Sequence, residues 1–373
     1  MNSKRLLRAS AALLIMGLIG PALTAQSAPV AQYERLEKAS GVSASALATA
    51  IEPIFDDDAM GTTQALIVMQ SGKVVAERYG AEIAPDTKLL SRSIGKTITA
   101  ALVGLMVSDG RLALDSPVPV HAWSQPGDPR GTITLRNLLQ MTSGLDHREA
   151  GEPLYSSDTV RMLFLTGDRG GAQDMAAFAE AKPVARPPGS HFLYSTADTM
   201  ILCDLMTRML TDSERPDARR DAMMEFIRGR LMKPVGLDSL TPEFDAHGTM
   251  IGGAMLHMTA RDYARFGEFL RHQGRVNGHQ VLSARWVSFM TSPSAQNPAY
   301  GGHVWLNREG AENSLFPGRA SRRLFGAVGH HGQYLLIDPS RQLVVVRMGI
   351  STEEQRVNLR DALADLVERF PNS

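Results

Sequence analysis

Apolar positions crowd into strand-like runs near the two ends of the chain and fall at helical spacing between them. "QALIVMQ" (64–70) and "KVVAERY" (73–79) read as two strands, and Ser71-Gly72 between them is a two-residue link of the kind that closes a hairpin. A second pair, "QYLLID" (333–338) and "QLVVVRMG" (342–349), flanks "PSR". The following "TEEQRVNLRDALADLVERF" carries Val357, Leu359, Leu363, Leu366 and Val367 at helical spacing. Within 89–110, Ile94, Ile98, Ala101, Leu102, Leu105 and Met106 share one helical face, and Gly110 can stop the helix. "LRNLLQMTS", "ADTMILCDLMTRML", "RDAMMEFIRGRLMKPVG" and "TARDYARFGEFLRHQG" are further helical segments, separated by Pro/Gly/Ser-rich turns. No repeat, low-complexity tract or interdomain linker interrupts them. The pattern predicts one α/β domain whose sheet is completed by both terminal segments.

Charge and composition narrow the partners. The 373 residues hold 39 Lys+Arg and 39 Asp+Glu, so no net field steers the chain toward nucleic acid or an anionic membrane, and a small neutral ligand suits it better. Lys4, Arg5 and Arg8 precede an apolar run over 11–23 and the small residues Ala25, Ser27 and Ala28, the three-part layout of a secretory signal. Residues 1–27 are therefore expected to be removed and 28–373 exported to a periplasm or beyond. The apolar run is shorter than the ~20 residues of a spanning helix, so no stable membrane anchor is expected after cleavage. Cys203 is the one cysteine; it excludes an internal disulfide and lies far from any lipidation site at the cleavage point.

The candidate chemistry sits at Ser93 and Lys96. A serine hydroxyl needs a base before it attacks, and a lysine serves only if desolvation or nearby cations lower its pKa. Three residues apart on a helix, the two share a face, and Ser93 at the helix start has a backbone N–H free to hold an oxyanion. A lone Ser-x-x-Lys is a weak pattern, and a capped helix followed by a solvated lysine reads the same residues. Position argues for chemistry, because Lys96 lies between Ile94 and Ile98 in an otherwise apolar segment.

"SRSIGKTITAALVGLMVSDGRLALDSPV" followed by "ITLRNLLQMTSGL" resembles the serine β-lactamase and penicillin-binding-protein superfamily, which also contains esterases and 6-aminohexanoate-dimer hydrolases. "PPGSHFLYSTADT", "LMKPVGLDSL", "MTARDYARFGEFLRHQG", "YGGHVW" and "GHHGQYLLIDPSRQLVVVRMG" follow in family order, so the resemblance spans about residues 60–350. It implies a β-lactamase/transpeptidase-like fold: an antiparallel sheet from the N- and C-terminal segments, flanked by helices, with a mostly helical lobe inserted at about 112–260. It makes Ser93 the nucleophile, Lys96 its base, and Tyr194 of Tyr194-Ser195-Thr196 the proton shuttle, a phenol whose pKa a nearby Lys96 would lower. Thr196 stands where asparagine is frequent, which bears on substrate amide recognition. The third motif, Lys-Thr-Gly in typical β-lactamases, falls at Ala327-Val328-Gly329; the glycine is kept, the lysine and threonine that help bind a substrate carboxylate are not. The backbone N–H of His330 would be the second oxyanion donor, with Gly329 beside it and His331 a candidate pocket residue.

Rival chemistries lack their signatures. There is no His-Glu-x-x-His or paired-cysteine zinc pattern, and adjacent His330 and His331 would point to opposite faces of a strand. Ser91 occupies the first glycine position of a Gly-x-Ser-x-Gly elbow. No phosphate loop or basic-aromatic nucleic-acid patch is present, and neither metal nor cofactor is implied. The expectation is an exported hydrolase of a small ester or amide, nearer the 6-aminohexanoate-dimer hydrolase and carboxylesterase branch. A class C-type β-lactamase or D-alanyl-D-alanine peptidase is the alternative, and a non-catalytic penicillin-binding-like protein a further one. Oligomeric state is not legible in the sequence.

Overall fold

After strand β1 (Tyr33–Leu36), a turn with two positive φ angles, 50° at Ser71 and 77° at Gly72, joins β2 (Thr62–Gln70) to β3 (Lys73–Tyr79). That backbone twist matches the twist of paired strands, and it explains why Ser-Gly closes this hairpin. The structure, a computed structural model, describes residues 33–165, 173–309, 311 and 313–372. The predicted signal, residues 1–27, lies outside them. The remaining sheet strands come from the far end of the chain: β4 (Trp305–Leu306), β5 (Phe325–Gly329), β6 (Gln333–Asp338) and β7 (Leu343–Ile350). Their order is β1-β3-β2-β7-β6-β5-β4, with every neighbouring pair antiparallel. Both terminal segments thus meet at the centre, where β2 pairs with β7 from Gln70↔Leu343 to Thr62↔Ile350.

Alternation along the central strands assigns the two faces. Leu66, Val68 and Val345 pack with α1 (Ala44–Ile51) and the terminal helix Glu353–Glu368, while Ile67, Val344 and Val346 face the larger core. In that core α2 (Ile94–Ser108) and α4 (Ala260–Arg271) lie against the sheet, and α3 (Thr196–Leu210) packs on α2. The helix predicted within 89–110 runs over Ile94–Ser108 and is buried on all sides from Ile94 to Met106, not on one face, as expected of a helix enclosed by other elements. The terminal helix, α5, is capped by the reciprocal Thr352–Gln355 pair. Its Leu359, Leu363, Leu366 and Val367 are buried, but Val357 is 53% exposed and lines a cavity instead of the core.

The interval read as a helical lobe is less uniform than its sequence pattern. It includes short helices at Leu135–Leu139, Asp158–Phe164, Met175–Glu180 and Pro216–Ile227, yet Thr241–Pro242 pairs with Leu256–Met258, which also pairs with Leu89–Leu90. No helix of the described residues is long and apolar enough to cross a membrane.

Gly104 shows how tightly α2 is enclosed. A Cβ there would lie 2.2 Å from Nε1 of Trp286, whose indole N–H donates to Ala100 O at 2.9 Å. Gly104→Ala is expected to destabilise the fold by about 2–3 kcal/mol through overpacking. Denaturant unfolding measures this, and an unchanged midpoint would contradict the packing.

Candidate active site

The site begins with a serine that occupies a cap position without capping. Ser91 is tied to the neighbouring strand through its N–H to Leu256 O (2.7 Å) and through its hydroxyl, which accepts from Leu256 N–H (3.2 Å). Arg92 then turns with φ 47°, and Ser93 enters α2 with helical φ and ψ and no side-chain cap bond. Its hydroxyl is left for Lys96. One turn on, Lys96 Nζ is 3.2 Å from Ser93 Oγ, 2.8 Å from Thr196 Oγ1 and 2.9 Å from Gly253 O. Close approach of the 252–253 backbone requires Gly95, where a Cβ would lie 2.7 Å from Gly252 O.

Lys96 is 1% exposed, which excludes the solvated-lysine reading. Burial pulls its pKa down to about 8, against the opposing pull of Glu149, Cys203 and Asp198. Tyr194 stands where the sequence placed it, just before α3, with its neighbours held by Met141: Leu193 N–H donates to Met141 O (2.9 Å) and Ser195 N–H to Met141 Sδ (3.4 Å). Its ring stacks on Trp305 at 5.6 Å and meets Tyr300 edge-on at 6.0 Å, with Lys96 Nζ 5.0 Å from its centroid. The expected lowering of this phenol's pKa is not what the structure shows. Burial, then the Glu149 charge, push it above the ordinary phenol value, while the contact with Ser93 opposes them.

A cavity of about 540 Å³ opens over these groups, lined by Ser93, Tyr194, Val328, Gly329 and His330 among others. His330 and Gly329 therefore border this cavity at the end of β5. His331 does not: it has φ 63°, and it lines a separate cavity with Arg92 and His257. The histidines occupy a turn and not a strand, so they do not point to opposite faces; their rings are 3.9 Å apart. This turn is pinned from beneath. Arg347, fully buried, donates to Gly332 O (2.9 Å), Gln333 Nε2 to His330 O (3.0 Å), and Ser351 N–H to His331 O (3.0 Å).

Two site residues escaped the sequence reading. Glu149 comes from the 146–183 stretch, where no motif was legible; its carboxylate accepts from Thr196 N–H (2.7 Å) and Thr196 Oγ1 (2.6 Å) and lines the cavity. Thr196 consequently faces Lys96 and Glu149, which is not the substrate contact expected of it. His303 of "YGGHVW" is buried behind the site, bonded to Leu139 O (2.8 Å) and Thr199 Oγ1 (3.0 Å), and burial drops its pKa to about 3. A neutral strut is the result. Among the described residues, no group of three or more His, Cys, Asp or Glu side chains could hold a metal ion.

A sheet built from both chain ends, packed on a buried helix that opens with Ser-x-x-Lys, defines the class of β-lactamase/transpeptidase-like serine hydrolases. The family model for Beta-lactamase matches residues 57–368, and the chain belongs to that family. A curated relative, 6-aminohexanoate-dimer hydrolase of Paenarthrobacter ureafaciens, is 26% identical over 329 residues, covering 81% of this chain and 79% of its own. Among solved structures, a family VIII carboxylesterase (14% identity, TM-score 0.63) aligns over 90% of this chain and 100% of its own. A penicillin-binding protein homologue from Caulobacter crescentus (18%, TM-score 0.61) covers the same shares, and both likenesses show the fold.

Burying Lys96 has a measurable linkage. Its folded pKa lies below the unfolded value of 10.5, so the unfolded chain takes up the proton first and wild-type stability falls as pH drops from 10.5 to 8. Lys96→Met removes that penalty. Relative to wild type, its thermal midpoint is expected to be higher at pH 7 than at pH 10 by calorimetry, and a pH-independent difference would contradict the desolvation.

Proposed function

We propose that this protein hydrolyses a small ester or amide through an acyl-enzyme on Ser93. The observation that carries the reading is the desolvated Lys96 amine, 3.2 Å from the Ser93 hydroxyl. Neutral Lys96 takes the Ser93 proton as Oγ bonds to the substrate carbonyl carbon, and the oxyanion is held by the N–H groups of Ser93 and His330. Neither N–H is used in a turn or loop hydrogen bond among the described residues. The carbonyl then re-forms and the bond to the leaving oxygen or nitrogen breaks as Tyr194 gives that atom a proton; the proton stored on Lys96 restores the phenol. Because its pKa is raised, Tyr194 keeps its proton until the leaving group needs it. Water, deprotonated by the same pair, attacks the acyl carbon and releases the acid, and Ser93 regains its proton.

The missing lysine and threonine at Ala327-Val328 favour esters and linear amides over penicillins, in keeping with the name of the Paenarthrobacter ureafaciens relative. A purely binding role has no use for a lysine desolvated against a serine. Residues 1–27 support export of the mature chain through their basic, apolar and small-residue order.

A fluorophosphonate probe, whose P–F bond breaks as Ser93 Oγ bonds to phosphorus, is expected to add one label by intact mass, absent in Ser93→Ala. Lys96 acts unprotonated, so labelling should accelerate as pH rises through about 8 and level off above it. Rates on p-nitrophenyl butyrate and a linear amide dimer should exceed that on nitrocefin. Full labelling of Ser93→Ala, or a rate that falls with rising pH, would overturn the mechanism.

A further inference from the structure

The oxygens around Lys96 Nζ differ in what they can do. Gly253 O, at 2.9 Å, only accepts. The Thr196 hydroxyl, at 2.8 Å, could accept or donate, but its own hydrogen has an anionic acceptor 2.6 Å away in Glu149 Oε1. Glu149 Oε2 meanwhile accepts from Thr196 N–H at 2.7 Å and from Thr159 Oγ1 at 2.8 Å, and His147 Nε2 stands 2.8 Å from the same Thr159 hydroxyl. Burial alone would raise its pKa, but His147, the Lys96 charge and the two Thr196 donors outweigh that and hold it at about 2, so it has no hydrogen to give back to Thr196.

We infer that Glu149 is a positioning residue for catalysis: by holding the Thr196 hydroxyl as an acceptor toward Lys96, it commits two amine hydrogens to Thr196 and Gly253 and leaves the exchangeable proton, and then the lone pair, aimed at Ser93. The inference rests on the reading of Ser93 as nucleophile. Were the Thr196 hydroxyl reversed, its hydrogen would compete with Ser93 for the Lys96 lone pair. In Glu149→Gln one of the two carboxylate oxygens becomes an NH2 donor, so the side chain can no longer accept from both the N–H and the hydroxyl of Thr196.

Other groups facing Lys96 must be separated from this effect. Asp198 and Cys203 approach from α3, Tyr194 precedes it, and His303 lies behind. Burial pushes the Cys203 thiol up to about 12 and His303 down to about 3, so neither titrates near neutrality. Asp198, buried with Oδ2 unpartnered, is pushed up to about 8 and does. Asp198→Asn in parental and Glu149→Gln backgrounds removes its titration from the comparison.

The experiment is the rate of fluorophosphonate labelling from pH 5 to 10, with melting curves, for wild type, Glu149→Gln, Thr196→Val and Thr196→Ser. Glu149→Gln and Thr196→Val are expected to label at least ~10-fold more slowly on the high-pH plateau, and Thr196→Ser within ~3-fold of wild type. Removing the Glu149 charge, which holds the Lys96 pKa up, should also move the acid midpoint of Glu149→Gln to lower pH. A plateau and midpoint equal to wild type in Glu149→Gln would overturn the inference, as would slow labelling with an unmoved midpoint and a lowered melt, the mark of a structural role. Absence of wild-type labelling at Ser93 would instead sink the nucleophile reading and the inference with it.

Discussion

The desolvated amine of Lys96 is the constraint to which the rest of the site answers. An ammonium taken out of water must find acceptors or lose its proton, and here both outcomes are prepared. Thr196 Oγ1 and Gly253 O supply two acceptors, Ser93 Oγ lies on the third direction, and burial brings the pKa to about 8, where loss of one proton is accessible. Each contact comes from a different part of the chain: the first turn of α2, the start of α3 and the backbone beside the Leu256–Met258 strand. The enclosing helices therefore keep water from the amine.

Arg347 makes the contrast clear. It too is a fully buried cation, with no carboxylate bonded to it among the described residues; its guanidinium donates to backbone carbonyls at Gly332, Met60 and Thr62 and to the Thr63 hydroxyl at 3.1 Å. Burial lowers its pKa only to about 10, so it stays charged and works as a fixed tie beneath the turn that carries His330. A lysine in that place would lose the fork of donors, and an arginine at position 96 could not act as a base near neutrality. One buried cation keeps its charge and ties a turn; the other sits beside a serine with its pKa lowered to where a proton can be lost.

What the sequence made legible follows from the range of the interactions involved. The Ser71-Gly72 hairpin and the one-turn spacing of Ser93 and Lys96 are set within a few residues, and the structure has both. Val357 obeys the helical period of α5 but lies on its cavity side, a fact that depends on what the helix faces. His331 was read as strand because its neighbours are strand, yet the reversal of direction between β5 and β6 falls on it and gives it a positive φ. Glu149 was invisible for a stronger reason. Its role comes from contacts with Thr196, 47 residues on, and nothing in "HREAGE" announces them.

The same difference of range separates the buried groups around Ser93 from the wall of the cavity above them. The groups around Ser93 and Lys96 are packed between secondary-structure elements and tied by short hydrogen bonds, so they resist change. The outer cavity wall is assembled from Asn313–Leu315 and from Glu353, Arg356, Val357 and Arg360 on the open side of α5. Those residues lie at element ends, on loops or on an exposed helix face, where a substitution costs little packing. Replacing a carboxylate-binding Lys-Thr with Ala327-Val328 leaves strand β5 and its pairing with β6 intact. The wall can therefore vary in sequence while the lysine, its acceptors and the serine stay in register.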